Sequence, residues 1–484
     1  MSVDTRSPEL ASGSQRSERV ITIAASLVIA VVIGLLFGLL SMKLAVAVVI
    51  GAAALVVFGR LALTHFEGLV LGVLAVRSMM DSQSLHGNAN GNVSSPGSSP
   101  AAALAIGFMV ASIVWLVAQH TARVQAGRPA VPMHSMVRLP AVALVLAGFA
   151  SLLTSSARTT SLAEAIRMSA AITMLIVLER LMLDLANIRK ILVAVFASAI
   201  VPLIFAALQT VSGGGRLIGT YSRIQGTFDH PNPFAIYLTF LVIMGAALFR
   251  HATASQKLPM AVILAACWVF LLLTYTRSAW ISAAAGVLVV CLLQNKRLAI
   301  VLVSIMVFVG LVIPTVSARF SDLGHTQYSG QAGNSLSWRF LYWQELLPLA
   351  NHSPITGIGL KVIELQTSAA KNAHDDFLRT YVEMGVLGLL AYCALLVGLC
   401  RTALRALKVT STGLPRGIAV GFAGLMVAFL LLSTVSNIIS QNVLLWYFFA
   451  FASAATAVVH HARTYSPAEL DELTRAPRVS SSAP

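Results

Sequence analysis

Apolar residues run through this chain in unbroken blocks of membrane-crossing length, with no sustained alternation of the kind a half-buried strand would show. The blocks fall at about 21–40, 44–58, 62–80, 101–119, 139–155, 162–183, 191–209, 233–249, 259–275, 279–293, 298–315, 377–399, 417–436 and 443–460. The pattern predicts an all-α, polytopic integral membrane protein with about 12–14 transmembrane helices. The first block is too long and uninterrupted for a cleaved leader, so it reads as an anchor. Residues 1–20 and 462–484 are polar and are expected as disordered cytoplasmic tails. Residues 81–100, rich in Asn, Gly and Ser, read as a flexible outer loop.

One interval breaks the pattern. From Val316 to Asp376 the chain stays largely polar for about sixty residues, several times a common connection length. It is expected as a large, partly helical extracytoplasmic loop (316–376) between helical regions at 21–315 and 377–461. Aromatics at roughly three- and four-residue spacing predict a helix over Ser335–Leu347.

Composition sharpens this reading. The chain is 57% hydrophobic and only 11% charged, against about 25% charged in soluble proteins, which excludes an ordinary water-soluble domain. Cys267, Cys291, Cys393 and Cys400 lie in or at the end of apolar blocks without metal or disulfide spacing. The net charge of +15 does not point to nucleic acid, because most basic residues sit in short connections between blocks, where they set orientation. With the N-terminus inside, the bias has the right sign for both tails to be cytoplasmic. Arg216, Arg223, Arg277, Arg319, Arg339, Lys361, Lys371 and Arg379 then fall on the outer side, against the bias. Anion binding is one reason for basic residues there.

Four polar stretches carry candidate chemistry. Tyr221–Pro233 contains Arg223, Gly226, Asp229, His230, Pro231, Asn232 and Pro233. Its prolines suit the first turn of a helix, and Arg223 can grip a phosphate through two parallel hydrogen bonds. Asp229 and His230 read more simply as part of the loop and helix start. In Thr274–Trp280, Arg277 sits in a very tight hairpin between two blocks. It either snorkels to the interface or acts as a preorganised anion clamp. The third stretch joins Trp338, Arg339 and Trp343 to Pro354, Gly357 and Gly359. Its aromatics fit a membrane-surface belt as well as a site, and its glycines permit close approach to a ligand or neighbouring segment. The fourth begins at His374, the residue type that titrates near neutrality, and continues through Asp375, Asp376, Arg379, Glu383, Gly385 and Gly388. The i,i+4 spacing allows Asp375–Arg379 and Arg379–Glu383 pairs on one helix face. Gly385 and Gly388 would let another helix pack closely.

In this order and at these places, the four stretches resemble the O-antigen ligase/polymerase superfamily, most strongly over about 223–390. The resemblance implies a membrane glycosyltransferase in the cytoplasmic (inner) membrane, with its active site on the extracytoplasmic side. Such an enzyme takes a glycan from a polyprenyl-diphosphate carrier and joins it to an acceptor hydroxyl on a glycan or glycolipid. Arg223 and Arg277 match the arginines thought to hold the diphosphate, with Arg339 a further candidate and Arg216, Lys361 and Asp375 in support. His374 matches the histidine proposed to activate the acceptor. His374, Gly385 and Gly388 keep the ligase spacing, but Asp375, Leu389 and Leu390 depart from the ligase residues, which leaves a polysaccharide polymerase as an alternative.

The chemistry agrees with the resemblance. Polyprenyl diphosphate is already activated, so neither a cofactor nor a metal is expected, and Asp375 and Asp376 are adjacent residues whose side chains diverge along a helix. Expected partners are the lipid-linked donor, the acceptor and membrane lipid, with no nucleic acid. The reading from another class is a lipid-linked glycan transporter or flippase, which would show broken helices near the midplane and internal repeats. No repeat is evident in the sequence.

Overall fold

The computed structural model describes residues 56–80, 100–127, 135–297 and 335–475, except 63, 219, 220 and 368, together with isolated positions between 299 and 332. The chain divides into two units, residues 1–69 and 70–484, and the second holds the helices that carry the site. The first elements are α1 (Phe66–Arg77), α2 (Pro100–Gln125), α3 (Arg138–Ala150), α4 (Arg158–Leu181), α5 (Leu185–Ala197) and α6 (Ile200–Val211). A short hairpin follows, β1 (Arg216–Ile218) and β2 (Tyr221–Arg223), antiparallel with Arg216 opposite Arg223. Next come α7 (Pro231–Phe249), α8 (Ala254–Leu273), α9 (Arg277–Gln294) and a second small hairpin of β3 (Gln327–Tyr328) and β4 (Gln331–Ala332). The chain continues as α10 (Ser335–Ala350), α11 (Ile363–Gln366), α12 (Asp376–Val409), α13 (Gly413–Ser433), α14 (Asn442–His461) and α15 (Pro467–Arg475).

Nine helical segments among the described residues are long and apolar enough to cross a membrane, with α5 and α6 forming one of them. This is the all-α polytopic architecture that the blocks predict. The block at 139–155 becomes the shorter apolar helix Arg138–Leu153, and that at 62–80 narrows to α1. The blocks at 21–40, 44–58 and 298–315, the N-terminal tail and the 81–100 loop lie wholly or mostly outside the described residues. The C-terminal segment differs from expectation: 467–475 form α15, with Leu470 buried and Asp471 accepting from Leu414 N at the start of α13.

The core of the bundle follows from side-chain size. Helix α14 is buried over most of its length, and Phe448 meets Phe429 with ring centroids 4.2 Å apart. Beside it α13 packs on α7 and α9. The α9–α13 crossing is close because Gly286 and Gly424 face each other's carbonyls, leaving no room for a Cβ on either.

Helix α12 is interrupted. Gly385 sits at φ +63°, ψ −163°, a conformation essentially restricted to glycine. The break frees backbone groups that apolar surroundings cannot satisfy. The Pro354–Leu360 segment supplies the partners. Ile358 N donates to Val382 O (3.0 Å), Gly359 N to Glu383 O (3.1 Å), Val386 N to Pro354 O (2.9 Å) and Leu387 N to Ile355 O (3.3 Å). A Cβ on Gly357 would strike the Glu383 backbone, and one on Gly385 would strike the Ile355 carbonyl. The close partner of Gly385 is therefore a loop, where the sequence suggested a helix.

Beneath the break Arg379 is fully enclosed and pairs with Glu383 (2.9 Å) and with Glu164 of α4 (3.5 Å). Buried charge is tolerated here because it is paired. The Arg379–Glu383 half of the expected pattern forms. Asp375 instead caps α12, accepting from Leu378 N at 2.8 Å, because its extended backbone turns it away from the helix face.

Candidate active site

Two local knots build the site. The first ties the β hairpin to the starts of α7 and α9. Arg223 is 7% exposed. Its Nε donates to Thr274 O (2.7 Å), and its Nη2 donates to Asn232 Oδ1 (2.8 Å) and Thr276 Oγ1 (2.7 Å). Thr274 and Thr276 form the tight turn that delivers Arg277 as the first residue of α9. Arg216, opposite Arg223 in the hairpin, donates to Asp229 O at 3.0 Å. His230 caps α7, with Nδ1 accepting from Asn232 N at 3.1 Å, and Pro231 occupies the first turn.

The second knot gives the long polar segment a core of its own. Tyr342, Leu346, Ala350, Ile358, Val362, Ile363 and Ala373 pack together against Val382 of α12. Along α10 the aromatics reach across to the irregular segment before α12. Tyr342 Oη donates to Lys371 O and bonds Thr367 Oγ1 at 2.8 Å. Trp343 Nε1 donates to Ala373 O at 2.7 Å. Trp338 stacks on Tyr342, lies under the Lys371 ammonium at 4.9 Å and meets His374 edge-on at 5.9 Å. The aromatics thus hold Lys371 and His374 in place, while Phe340 between Trp338 and Trp343 is exposed.

Between the knots lies a cavity of about 730 Å³, lined by Arg216, Arg223, His230, Asn232, Trp338, Arg339, Glu364, Lys371, Asn372 and His374. Its wall is strongly cationic. Arg339 is pushed below its ordinary value by burial, with Arg277's charge adding to this and Asp375 opposing it. A guanidinium still remains charged at any working pH. His374 falls to about 4, chiefly through burial, then through Arg339 and Lys371. It is therefore a neutral imidazole near pH 7. It also holds φ +54°, a backbone region that costs a non-glycine residue about 1–3 kcal/mol.

Asn437, which the sequence did not single out, and Asp376 of the fourth stretch fix this histidine. Asn437 places Nδ2 3.4 Å from His374 Nδ1. Asp376, fully buried, accepts from Ile438 N (3.3 Å) and Ile439 N (3.2 Å), which docks the α13–α14 turn carrying Asn437. Asn437 lies 63 residues from His374 in an otherwise ordinary turn sequence, and no local signal marks it.

Of the sequence candidates, Arg216, Arg223, Arg339 and His374 share the cavity wall. Arg277 stands next to it, near enough to Arg339 for their charges to repel. Asp375 acts at the helix start and through its charge on Arg339. Lys361 lies outside the wall, and its ammonium pairs with Glu364 at 3.9 Å. His230, read from sequence as a helix start, is both a cap and part of the wall.

Residues 260–393 match the O-Antigen ligase family model. The match covers about a quarter of the chain and supports an O-antigen ligase-like domain over that stretch. The matched stretch contains Arg277, Arg339, His374 and Asp375, while Arg216, Arg223 and His230 precede it. No curated protein matches the chain. That domain supports a membrane glycosyltransferase of ligase or polymerase type, and the apolar helices support a multi-pass membrane protein.

Proposed function

We propose that this chain transfers an oligo- or polysaccharide from a polyprenyl-diphosphate carrier to an acceptor hydroxyl on the outer face of the cytoplasmic membrane. The carrying observation is the single cavity that brings His374 together with Arg216, Arg223 and Arg339. The charge bias of the loops supports the outer placement. In this reading the arginines, with Arg277 alongside, hold the diphosphate and stabilise charge building on its departing oxygen. Trp338 offers an apolar ring beside the reacting centre. The acceptor oxygen attacks the anomeric carbon as the bond to the diphosphate oxygen breaks. The hydroxyl proton passes to the neutral imidazole of His374, and the polyprenyl diphosphate leaves with the bonding electron pair. Attack opposite the leaving group inverts the anomeric carbon.

Purified enzyme with lipid-linked glycan and acceptor tests the reading. His374→Ala should fold, bind carrier and lose about 10²–10⁴-fold in turnover; near-normal turnover would remove His374 from the mechanism. In the same assay, product attached to a distinct acceptor identifies a ligase, and lengthened glycan on the carrier identifies a polymerase. Labelling that places residue 352 on the cytoplasmic side would overturn the orientation.

A further inference from the structure

We propose that His230 grips the carrier diphosphate directly, as a hydrogen-bond donor locked in its Nε2–H tautomer beside Arg216 and Arg223. This inference rests on the reading of the cavity as the diphosphate site.

The tautomer follows from one contact. Asn232 N carries a backbone hydrogen and donates to His230 Nδ1 at 3.1 Å, so Nδ1 must present its lone pair and the single ring proton of the neutral form sits on Nε2. The lock is reinforced electrostatically. Protonating Nδ1 would break the cap and place a positive charge at the positive end of α7. Burial, then Arg223, Arg216 and His374, lower the ring to about 4. The other charged groups of the wall, Arg339, Lys371 and Glu364, do not alter the tautomer, which is set by the backbone contact.

Asn232 also orients the neighbouring arginine, because its Oδ1 accepts from Arg223 Nη2 at 2.8 Å. One residue therefore aims a fixed cation and a fixed neutral donor into the same cavity. The arginine, its Nε and Nη2 held by Thr274, Asn232 and Thr276, supplies a fixed positive charge. The histidine supplies a directional N–H that moves no proton during the reaction and adds no further charge to hold the product in place. The spacing of Arg223, His230 and Asn232 thus has a joint geometric purpose, which a helix cap alone would not require.

Capping and donation can be separated, because Asn and Ser are both good N-caps but end short of the Nε2 position. His230→Asn and His230→Ser should keep the wild-type melting temperature and bind polyprenyl diphosphate in detergent micelles about 10- to 100-fold more weakly. Turnover should fall with the pH profile between 6 and 9 unchanged. Inorganic pyrophosphate, which lacks the lipid, should lose competition in the same variants if the headgroup alone is recognised; if its competition is unchanged while lipid binding weakens, recognition of the headgroup by His230 is wrong. Either variant binding and turning over as wild type overturns the inference and leaves His230 a cap. Wild-type enzyme that fails to bind polyprenyl diphosphate at all overturns the diphosphate reading of the cavity itself.

Discussion

The interruption in α12 makes a quantitative test possible, through Gly385→Ala. Alanine would have to hold φ +63°, ψ −163°, at a cost of about 1–3 kcal/mol. Its Cβ would stand 2.6 Å from Thr356 N and closer still to the Ile355 carbonyl. Those atoms are backbone, so they cannot rotate away, and the Pro354–Leu360 segment must withdraw. Withdrawal puts at least the Val386 N–Pro354 O and Leu387 N–Ile355 O hydrogen bonds at risk, each worth about 1 kcal/mol net and more if the groups stay buried. The sum is about 3–5 kcal/mol. Thermal unfolding of purified protein in detergent should show a melting temperature about 3–5 °C below wild type. Transfer should fall as well, because the displaced segment leads through Lys361–Ala373 to His374. Gly72→Ala is the control, since a Cβ there meets nothing within 4 Å, and helix propensity predicts no loss. A Gly385→Ala protein that melts within about 1 °C of wild type and transfers normally would refute the strain argument.

Three further outcomes follow from the site. Arg223→Lys keeps the charge but cannot reproduce the fork that joins Thr274 O, Asn232 Oδ1 and Thr276 Oγ1. It should lower carrier affinity and stability together, by about 2–4 kcal/mol in melting assays, and an unchanged melting curve would count against the knot. With His374 at about 4 in the free enzyme, kcat/KM should stay flat from neutral pH to about 5 and fall only below it, because the required form is the unprotonated one. Bound diphosphate offsets Arg339 and Lys371, so the acid limb of kcat should lie at higher pH, and Arg339→Gln should raise the limb of kcat/KM; a limb at the ordinary histidine value and unmoved by Arg339→Gln would refute this. Asn437→Ala should reduce kcat about tenfold with little change in KM and no effect in a His374→Ala background, and an equal loss in both backgrounds would assign Asn437 to folding instead.

Much of this protein is decided by its sequence because the bilayer is an unforgiving solvent. A block such as Pro231–Phe249 or Asn442–His461 has to be a helix, since no other element satisfies its backbone in apolar surroundings. Helix type and approximate position are therefore local properties. The same holds for Pro231 at a helix start and for the i,i+4 pairing of Arg379 with Glu383. Arginines against the charge bias and a histidine at the mouth of a helix also stand out before any fold is known, and the fold brings Arg216, Arg223, Arg339 and His374 to one cavity wall.

What stayed hidden was non-local. That Gly385 breaks α12 is decided by Pro354–Leu360, which lies nearly thirty residues away and supplies the missing hydrogen bonds. Without that partner the same residues would read as continuous helix. Trp338 and Trp343 were ambiguous between a membrane belt and a site, and only the folding of α10 onto 367–373 turned them inward. Asp375 had a partner at helical spacing but took the cap, because the backbone entering α12 is extended there. Asn437 carries no signal of its own, since its significance depends on Asp376 docking one turn against another helix start. Sequence sets what each segment must be when a segment's own solvent decides it. Tertiary structure decides wherever a polar group finds its partner on a different segment.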